Sequence, residues 1–303
     1  MAATPALLAC DWGTTNLRAW TLDADGAVLV DRDFPLGVSK LAPGEAARRF
    51  EAEVRPAMQG EGLPAVMCGM IGSNLGWVEI PYLDCPAAAG DLGAAMAQPA
   101  PGVRIAPGLR CPGLAAAPDV MRGEEVQVFG WLAADAARRT GRQVVCHPGT
   151  HAKWILIEDG RIVRFVTAMT GELFAVLRRH SILRSDADPD DPDAFDEGVV
   201  AAGDGGALAA RLFTARARVV GQGAPAESTP AYLSGVLIGA ETASLPELLG
   251  LADETPIALL GDPGLTRWYA RALTTRGREV SEHDGEAAAI AGLSALAGLE
   301  GVR

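Results

Sequence analysis

One local pattern occurs twice in this chain, and a duplicated hairpin restricts the possible folds more than any single motif does. The first copy runs from the apolar segment Ala6 to Ala9 through Cys10-Asp11-Trp12-Gly13-Thr14-Thr15-Asn16 into Leu17-Arg18-Ala19-Trp20, and closes at Asp23-Ala24-Asp25-Gly26. The second runs from Gln143-Val144-Val145-Cys146 through His147-Pro148-Gly149-Thr150-His151-Ala152-Lys153-Trp154 into Ile155-Leu156-Ile157, and closes at Glu158-Asp159-Gly160. Each copy reads as an apolar strand ending in Cys, an x-x-Gly-Thr turn, a returning strand with a Trp, and an Asp-Gly turn. The copies lie about half a chain apart, a spacing that predicts two related halves.

The turns suit a phosphate. Gly13 lets backbone pass close to a bulky anion, and Thr14 and Thr15 offer hydroxyls and N–H donors to its oxygens. Asp11 can hold Mg²⁺, directly or through water. An ordinary hairpin with an acid at its base would have the same residues; the repetition favours the phosphate reading. Two such turns in related halves are expected to face each other across a cleft and grip one phosphate chain.

Composition narrows the function classes. A chain of 303 residues suits two domains, each with its own core. The apolar fraction of 49% and charged fraction of 21% are those of a globular protein. A net charge of −12 argues against nucleic-acid or anionic-membrane binding. The five cysteines (Cys10, Cys68, Cys85, Cys111 and Cys146) form no C-x-x-C pair, which points to a reducing compartment and no zinc site. No basic region precedes an apolar stretch near the start, and the longest uncharged apolar segment, Ala287 to Leu299, is shorter than the roughly 20 residues that span a bilayer. A soluble, cytoplasmic protein is expected, with a homodimer among the assemblies left open.

Periodicity predicts a three-stranded meander over 6–34, a helix near 43–58 and a buried strand at 64–68 that runs into the glycine-rich loop Gly69 to Trp77. Residues 78–121 carry few signals, with short strands expected near 103–105 and 109. A helix follows over 124–139, then the second meander over 143–167, a helix over 172–181, and an acidic loop over 185–193. A long helical region to about 218, a helix over 228–243, a strand at 256–260, a helix over 265–274, a strand near 279–280 and a last helix over 285–299 complete the chain. The fold class is α/β, with a mixed sheet in each half. Ala288, Gly292 and Ala295 share a face of the last helix, which allows close packing; the expected partner is the 124–139 helix, the pair coupling the two halves.

Three further constellations carry chemistry. Asp119, Glu124 and Glu125 gather at one helix start, where acids complement the dipole but one could also accept a hydroxyl proton. Ser73, Asn74 and Trp77 offer amide, hydroxyl and aromatic groups to a polyol, or make a plain connection. Gly261-Asp262-Pro263-Gly264, between a buried strand and a helix, can carry a nucleotide. Two look-alikes are set aside. Asp186, Asp188, Asp190 and Glu197 imitate a calcium loop, but Asp191 stands where that loop needs Gly and two prolines intrude. Ser281, His283 and Asp284 are neighbours in sequence, whereas a triad is defined by geometry. No P-loop or kinase-type glycine loop is present.

Asp11 to Thr15, Pro148 to Trp154 and Leu259 to Gly264 resemble the two phosphate motifs and the adenosine motif of the superfamily of sugar kinases, actin and Hsp70-type ATPases, and the helices over 124–139 and 285–299 are similar to its connecting segments. Met67 to Trp77, Pro81-Tyr82, Met121 to Gln127 and Met169 to Phe174 together resemble the 2-dehydro-3-deoxygalactonokinase family, nearly end to end. The resemblance implies two RNase H-like (actin-like ATPase) domains with a cleft between them, divided as 1–122, 123–284 and a returning helix over 285–303. It implies ATP-dependent phosphorylation of the 6-hydroxyl of 2-dehydro-3-deoxy-D-galactonate, in galactonate breakdown. ATP would be bound by Asp11, Gly13, Thr14, Thr15, Gly149, Thr150, His151, Lys153, Gly261, Asp262 and Gly264, with Mg²⁺ at Asp11 and the sugar acid at Ser73, Asn74 and Trp77. Glu124, or else Asp119 or Glu125, would be the base. His147 stands where many members carry an acid, which argues against a two-aspartate magnesium site. Two other readings stay open: a phosphohydrolase of the exopolyphosphatase type, suggested by Glu124-Glu125, and a nucleotide-gated sensor without turnover.

Overall fold

The computed structural model describes residues 3–299. Strands β1 (Pro5–Trp12), β2 (Leu17–Asp23) and β3 (Val28–Phe34) form the first meander. A helical stretch follows: α1 (Glu45–Arg49), a π-helical turn (Phe50–Val54) and α2 (Arg55–Ala57). Then come β4 (Ala65–Cys68), β5 (Leu83–Asp84), α3 (Ala89–Ala94), β6 (Ala97–Ala100), β7 (Val103–Ile105), β8 (Leu109–Pro112), β9 (Pro118–Met121) and α4 (Glu124–Ala133). The second meander is β10 (Arg142–His147), β11 (Ala152–Glu158) and β12 (Arg161–Ala168). It leads through α5 (Thr170–His180), α6 (Pro192–Ala202), α7 (Leu208–Leu212), α8 (Thr214–Gln222) and α9 (Thr229–Leu248) to β13 (Ile257–Gly261), α10 (Pro263–Thr275), β14 (Val280–Asp284) and α11 (Gly285–Ala297).

Both meanders continue the same way. In the first sheet, ordered β3-β2-β1-β4-β7-β6, β1 pairs antiparallel with β2 and parallel with β4. In the second, ordered β12-β11-β10-β13-β14, β10 likewise takes a parallel partner, β13. A small third sheet, β5-β8-β9, lies in the stretch that carried few sequence signals. The α/β class with mixed sheets is as expected.

Two compact units divide the described chain: residues 3–142, 157–165 and 284–299, and residues 143–156 and 166–283. The first has a core of Trp12, Leu17, Phe50, Met67 and Ile105 between the meander and the 45–57 helical stretch. Cys111 Sγ lies 3.3 Å from the Phe165 carbonyl, and Ala87 bridges Ile162, so the tip of the second meander belongs to this unit. In the second unit α9 is the central helix, packed by α6, α5, α8 and α10.

The expected pairing of the last helix is present. A Cβ on Gly130 of α4 would stand 1.9 Å from the Ala288 carbonyl oxygen, and one on Gly292 of α11 would stand 2.1 Å from that of Val126. The two helices cross backbone to backbone, and only glycine fits at either position. Residues 125–132 of α4 are all buried, Glu125 and Gln127 among them, so the helix is enclosed around its circumference instead of burying a single stripe. It ends at Ala133, short of the expected 139, because Asp135 adopts an extended backbone and caps a separate turn by accepting from Ala137 N. The single helical region expected before 218 is three helices: Gly203 and Gly205, which take positive φ, separate the first two, and the second break falls at Phe213. Among the described residues, no helix is long and apolar enough to cross a membrane.

Candidate active site

In the first unit, Asp11 ends β1 and lies under two glycine bends. The parallel register sets Asp11 beside Cys68, and β4 then turns at Gly69 with φ of 86°. A Cβ on Gly69 would sit 2.8 Å from the Trp12 carbonyl oxygen and 3.1 Å from Asp11 Oδ1. Gly123, with φ of 118°, approaches the same place: its Cβ would meet Gly69 Cα at 3.2 Å and Asp11 Oδ1 at 4.0 Å. Both bends need glycine for their left-handed backbone and for the closeness of the carboxylate. Arg18, directly across the β1–β2 ladder, donates to Asp11 Oδ2 at 3.4 Å. Burial raises the Asp11 carboxyl above its ordinary value; Arg18 opposes that shift and Glu124 adds to it.

Gly123 also starts α4, and the two glutamates behind it fold back onto the helix entrance. Glu124 Oε2 accepts from Arg122 N at 3.1 Å, and both Glu125 oxygens accept from Gly123 N, at 2.9 and 2.8 Å. Glu125 is fully buried; that burial, with the neighbouring Glu124 charge, pushes its carboxyl up to about 8. Glu124 is partly exposed. The structure thus brings Asp11, Glu124 and Glu125 into one electrostatic group. Asp119 stands on β9 opposite Cys111 in the small sheet, its Oδ1 accepting from Val120 N.

The first Gly-Thr turn is held from one side. The carbonyls of Gly13, Thr14 and Thr15 accept from Val38, Ser39 and Gly37 N, leaving Thr14 and Thr15 exposed. Among the residues expected to hold the sugar acid, Ser73 directs its hydroxyl to the Met70 carbonyl at 2.7 Å, and Trp77 packs on Phe50 with centroids 5.8 Å apart. Asn74 is exposed on the same loop. Ser73 and Trp77 therefore both have structural roles.

The second unit builds a different site around the second turn. Gly149 has open space where a Cβ would be, and Gly171, in the first turn of α5, packs on it: a Cβ there would meet the Gly149 carbonyl oxygen at 2.4 Å. Glu172 N donates to the Thr150 carbonyl at 2.9 Å, and the Glu172 carboxylate pairs with His151 on the surface. Lys153 is buried on β11, with Nζ 3.3 Å from the His151 carbonyl oxygen. Gly261, at the end of β13, lies beside Pro148; Asp262 then receives the first backbone bonds of α10 through its carbonyl. A Cβ on Gly264 would stand 2.9 Å from Asp262 Oδ1.

These segments line one pocket of about 190 Å³. Gly149, Gly171 and Gly264 form part of its wall, and Phe174, Leu237, Ile238, Leu265 and Trp268 give an apolar remainder. Glu241, buried on α9, accepts from Trp154 Nε1 at 2.7 Å and Tyr269 Oη at 2.9 Å and is bonded to Thr170. Thr170 and Tyr269 line the pocket, so the Glu241 network fixes the wall from behind. Glycines at helix starts beside an apolar, aromatic wall suit a nucleoside phosphate.

Sequence reasoning did not pick out Gly69, Gly123, Arg18, Gly171 or the pocket wall as site residues. A readable signal existed for Glu241, the first charged residue of α9 after an uncharged run from Thr229 to Ala240. Elsewhere, Ser281 Oγ does lie 2.9 Å from His283 Nε2, but the Asp284 carboxylate caps α11 by accepting from Glu286 and Ala287 N. The residues expected at a magnesium ion fit it in kind: Asp11 supplies an oxygen anion under unbranched backbone, and Mg²⁺ commonly takes one or two carboxylates, substrate phosphates and water. No group of three or more His, Cys, Asp or Glu able to hold a metal occurs among the described residues.

The profile of the 2-keto-3-deoxy-galactonokinase family matches residues 11–296. A Rhizobium meliloti (strain 1021) protein named as a probable 2-dehydro-3-deoxygalactonokinase is 38% identical over 298 residues, with 95% of each chain covered. The 2-dehydro-3-deoxygalactonokinase of Escherichia coli (strain K12) is 36% identical over 296 residues, covering 97% of this chain and 98% of its own. A crystal structure of a Sinorhizobium meliloti protein bearing the same name aligns with a TM-score of 0.84 at 34% identity, covering 96% of this chain and 98% of the other. With a match that spans both Gly-Thr turns, the acid group and the apolar pocket, the chain belongs to the 2-keto-3-deoxy-galactonokinase family.

Proposed function

We propose that this chain is a sugar-acid kinase that transfers the γ-phosphoryl group of ATP to the 6-hydroxyl of 2-dehydro-3-deoxy-D-galactonate, in galactonate breakdown. The observation that carries the reading is the family match over residues 11–296. The pocket beside Gly149 and Gly264 takes the adenosine, and both Gly-Thr turns serve the phosphates: Gly13, Thr14 and Thr15 from one copy, Gly149, Thr150, His151 and Lys153 from the other. Gly261 and Asp262 set the start of α10 at the nucleoside. Asp11 holds Mg²⁺, directly or through water, and the ion supplies charge neutralisation of the phosphates when bound.

The 6-oxygen attacks the γ-phosphorus in line, its proton passes to Glu124, and the bond to the ADP oxygen breaks. Glu124 is favoured over Glu125, whose oxygens are both engaged by Gly123 N, and over Asp119, which lies in the small sheet. Most of the rate enhancement in such a transfer comes from positioning and fixed charge, so the base carries a modest share. Asn74 remains proposed as a sugar contact, with Ser73 and Trp77 shaping the loop that carries it.

The test is phosphoryl transfer to a panel of 2-keto-3-deoxy acids, with ADP release measured with and without each acceptor. Acceptor-dependent ADP release that is fastest with the galactonate-derived acid supports the reading. Equal ATP hydrolysis without acceptor would favour the exopolyphosphatase-type reading, and no turnover with any acid would favour a sensor. The family match lends support to neither alternative.

A further inference from the structure

The guanidinium of Arg122 is buried without an anionic partner, beside the acids of the first unit. Arg122 is 9% exposed. Its Nη2 donates to the Ile80 carbonyl at 2.8 Å, while Nε and Nη1 have no hydrogen-bond partner. The Tyr82 ring lies 4.3 Å from Cζ and covers one face of the guanidinium. Gly72 packs closely against Nη1: a Cβ there would stand 3.0 Å from that nitrogen. Neighbouring carboxylates are committed elsewhere, since Glu124 accepts from the Arg122 backbone and Glu125 from Gly123.

Buried guanidinium groups ordinarily pair with an anion, because desolvating the charge and its donors is costly. Among the described residues two other arginines have a buried Nε without a hydrogen-bond partner, but their surroundings differ. The Arg49 Nε forms an ion pair with Glu53, and Arg276 gives its Nη2 to the Gly203 and Gly239 carbonyls at the end of α10. Arg122 alone of the three combines two unpartnered nitrogens with a place next to Gly123, the glycine that lies over Asp11.

We infer that Arg122 is the carboxylate anchor of the acceptor site, pairing Nη1 and Nε with the C1 carboxylate of the sugar acid; the inference rests on the kinase reading above. The chemistry matches: a planar fork with spare donors accepts a carboxylate oxygen at each. The charge of Arg122 reaches Glu125, one residue past the proposed base. Both nitrogens are closed off from solvent, so binding there requires the loop over 73–82, with exposed Asn74, Leu75 and Glu79, to move aside for the carboxylate. Specificity for an acid over a neutral sugar then follows from a charge that is satisfied only by the correct substrate.

The test compares the sugar acid with its uncharged methyl ester. The wild-type protein is expected to prefer the acid by about 100-fold in kcat/KM, and Arg122→Gln to abolish that preference, raising KM for the acid by about 100-fold and leaving KM for ATP and for the ester unchanged. Arg122→Lys, which keeps the charge without the fork, should fall between. Gly72→Ala, which crowds Nη1 and leaves the arginine in place, should raise KM for the acid in the same sense and serves if Arg122→Gln does not fold. Equal losses with acid and ester, or an acid preference that survives in all three variants, would overturn the assignment. A wild-type protein that phosphorylates none of the 2-keto-3-deoxy acids would instead fail the kinase reading, which separates the two outcomes.

Discussion

The two halves share a scaffold and differ in what they place around it. Each has a meander, a Gly-Thr turn and a parallel fourth strand ending in glycine, Gly69 after β4 and Gly261 at the end of β13. In the first, the glycine bends over a carboxylate, and the surrounding groups are Arg18, Glu124, Glu125 and Arg122. In the second, the corresponding region is lined by Phe174, Leu237, Ile238 and Trp268, and its buried acid, Glu241, is turned away into a ring of neutral donors. A duplicated turn therefore repeats the backbone but leaves the chemistry to the segments packed against it. One copy gathers charged groups, and the other an apolar wall.

The contrast is most directly broken at Asp11. Asp11→Asn should lower kcat by about 10³-fold, since it removes the fixed charge that organises the phosphates, with thermal stability close to wild type. Full activity in that variant would refute the assignment of metal and phosphate organisation to the first half. Next in size is Glu124→Gln, expected to lower kcat by about 10²-fold, at the small end of general-base contributions, with Asp119→Asn near wild type. If the Asp119 variant is the one that loses turnover, the base belongs to the small sheet.

The second half should respond in binding. Trp268→Ala is expected to raise KM for ATP by about tenfold, the size of one lost stacking contact, with KM for the sugar acid unchanged. A parallel rise in both constants would mean that the aromatic wall does not serve the nucleotide. The smallest effect sharpens the electrostatic side. Glu125 is raised from its ordinary value to about 8, so the folded protein holds a proton that the unfolded chain releases. Its contribution to stability is complete below the unfolded value near 4.5 and is lost as pH rises through 8. Denaturant unfolding across pH 5–9 should show this decline in the wild type and a flatter profile in Glu125→Gln.

Much of the fold was legible before the structure. Both meanders, the strands at 65–68 and 257–261 and the close pair of glycine-bearing helices are written as period-two alternation, turn residues and small-residue spacing. The small sheet of β5, β8 and β9 was only partly visible, because strands of two to four residues are too short to establish a period. Helices α6, α7 and α8 read as one region, because apolar spacing resumes on each side of the break at Gly203–Gly206. For the proposed site, Asp11 and the Gly-Thr turns stand out because acid, glycine and threonine are adjacent in sequence. The packing of Trp77 was not legible: a tryptophan in a glycine loop reads the same with or without Phe50 against it.

The sequence by itself determined the repeated strand-turn-strand unit, the helix pairing and the family, because each rests on residues a few positions apart or on a pattern carried along the whole chain. The tertiary structure decided which of three acids join Asp11, that Arg122 is buried without an anion, and that Gly149, Gly264 and Trp268 share one pocket. Those facts depend on segments tens of residues apart meeting at one point. Burial and charge coupling are set by that meeting, and local spacing does not encode it.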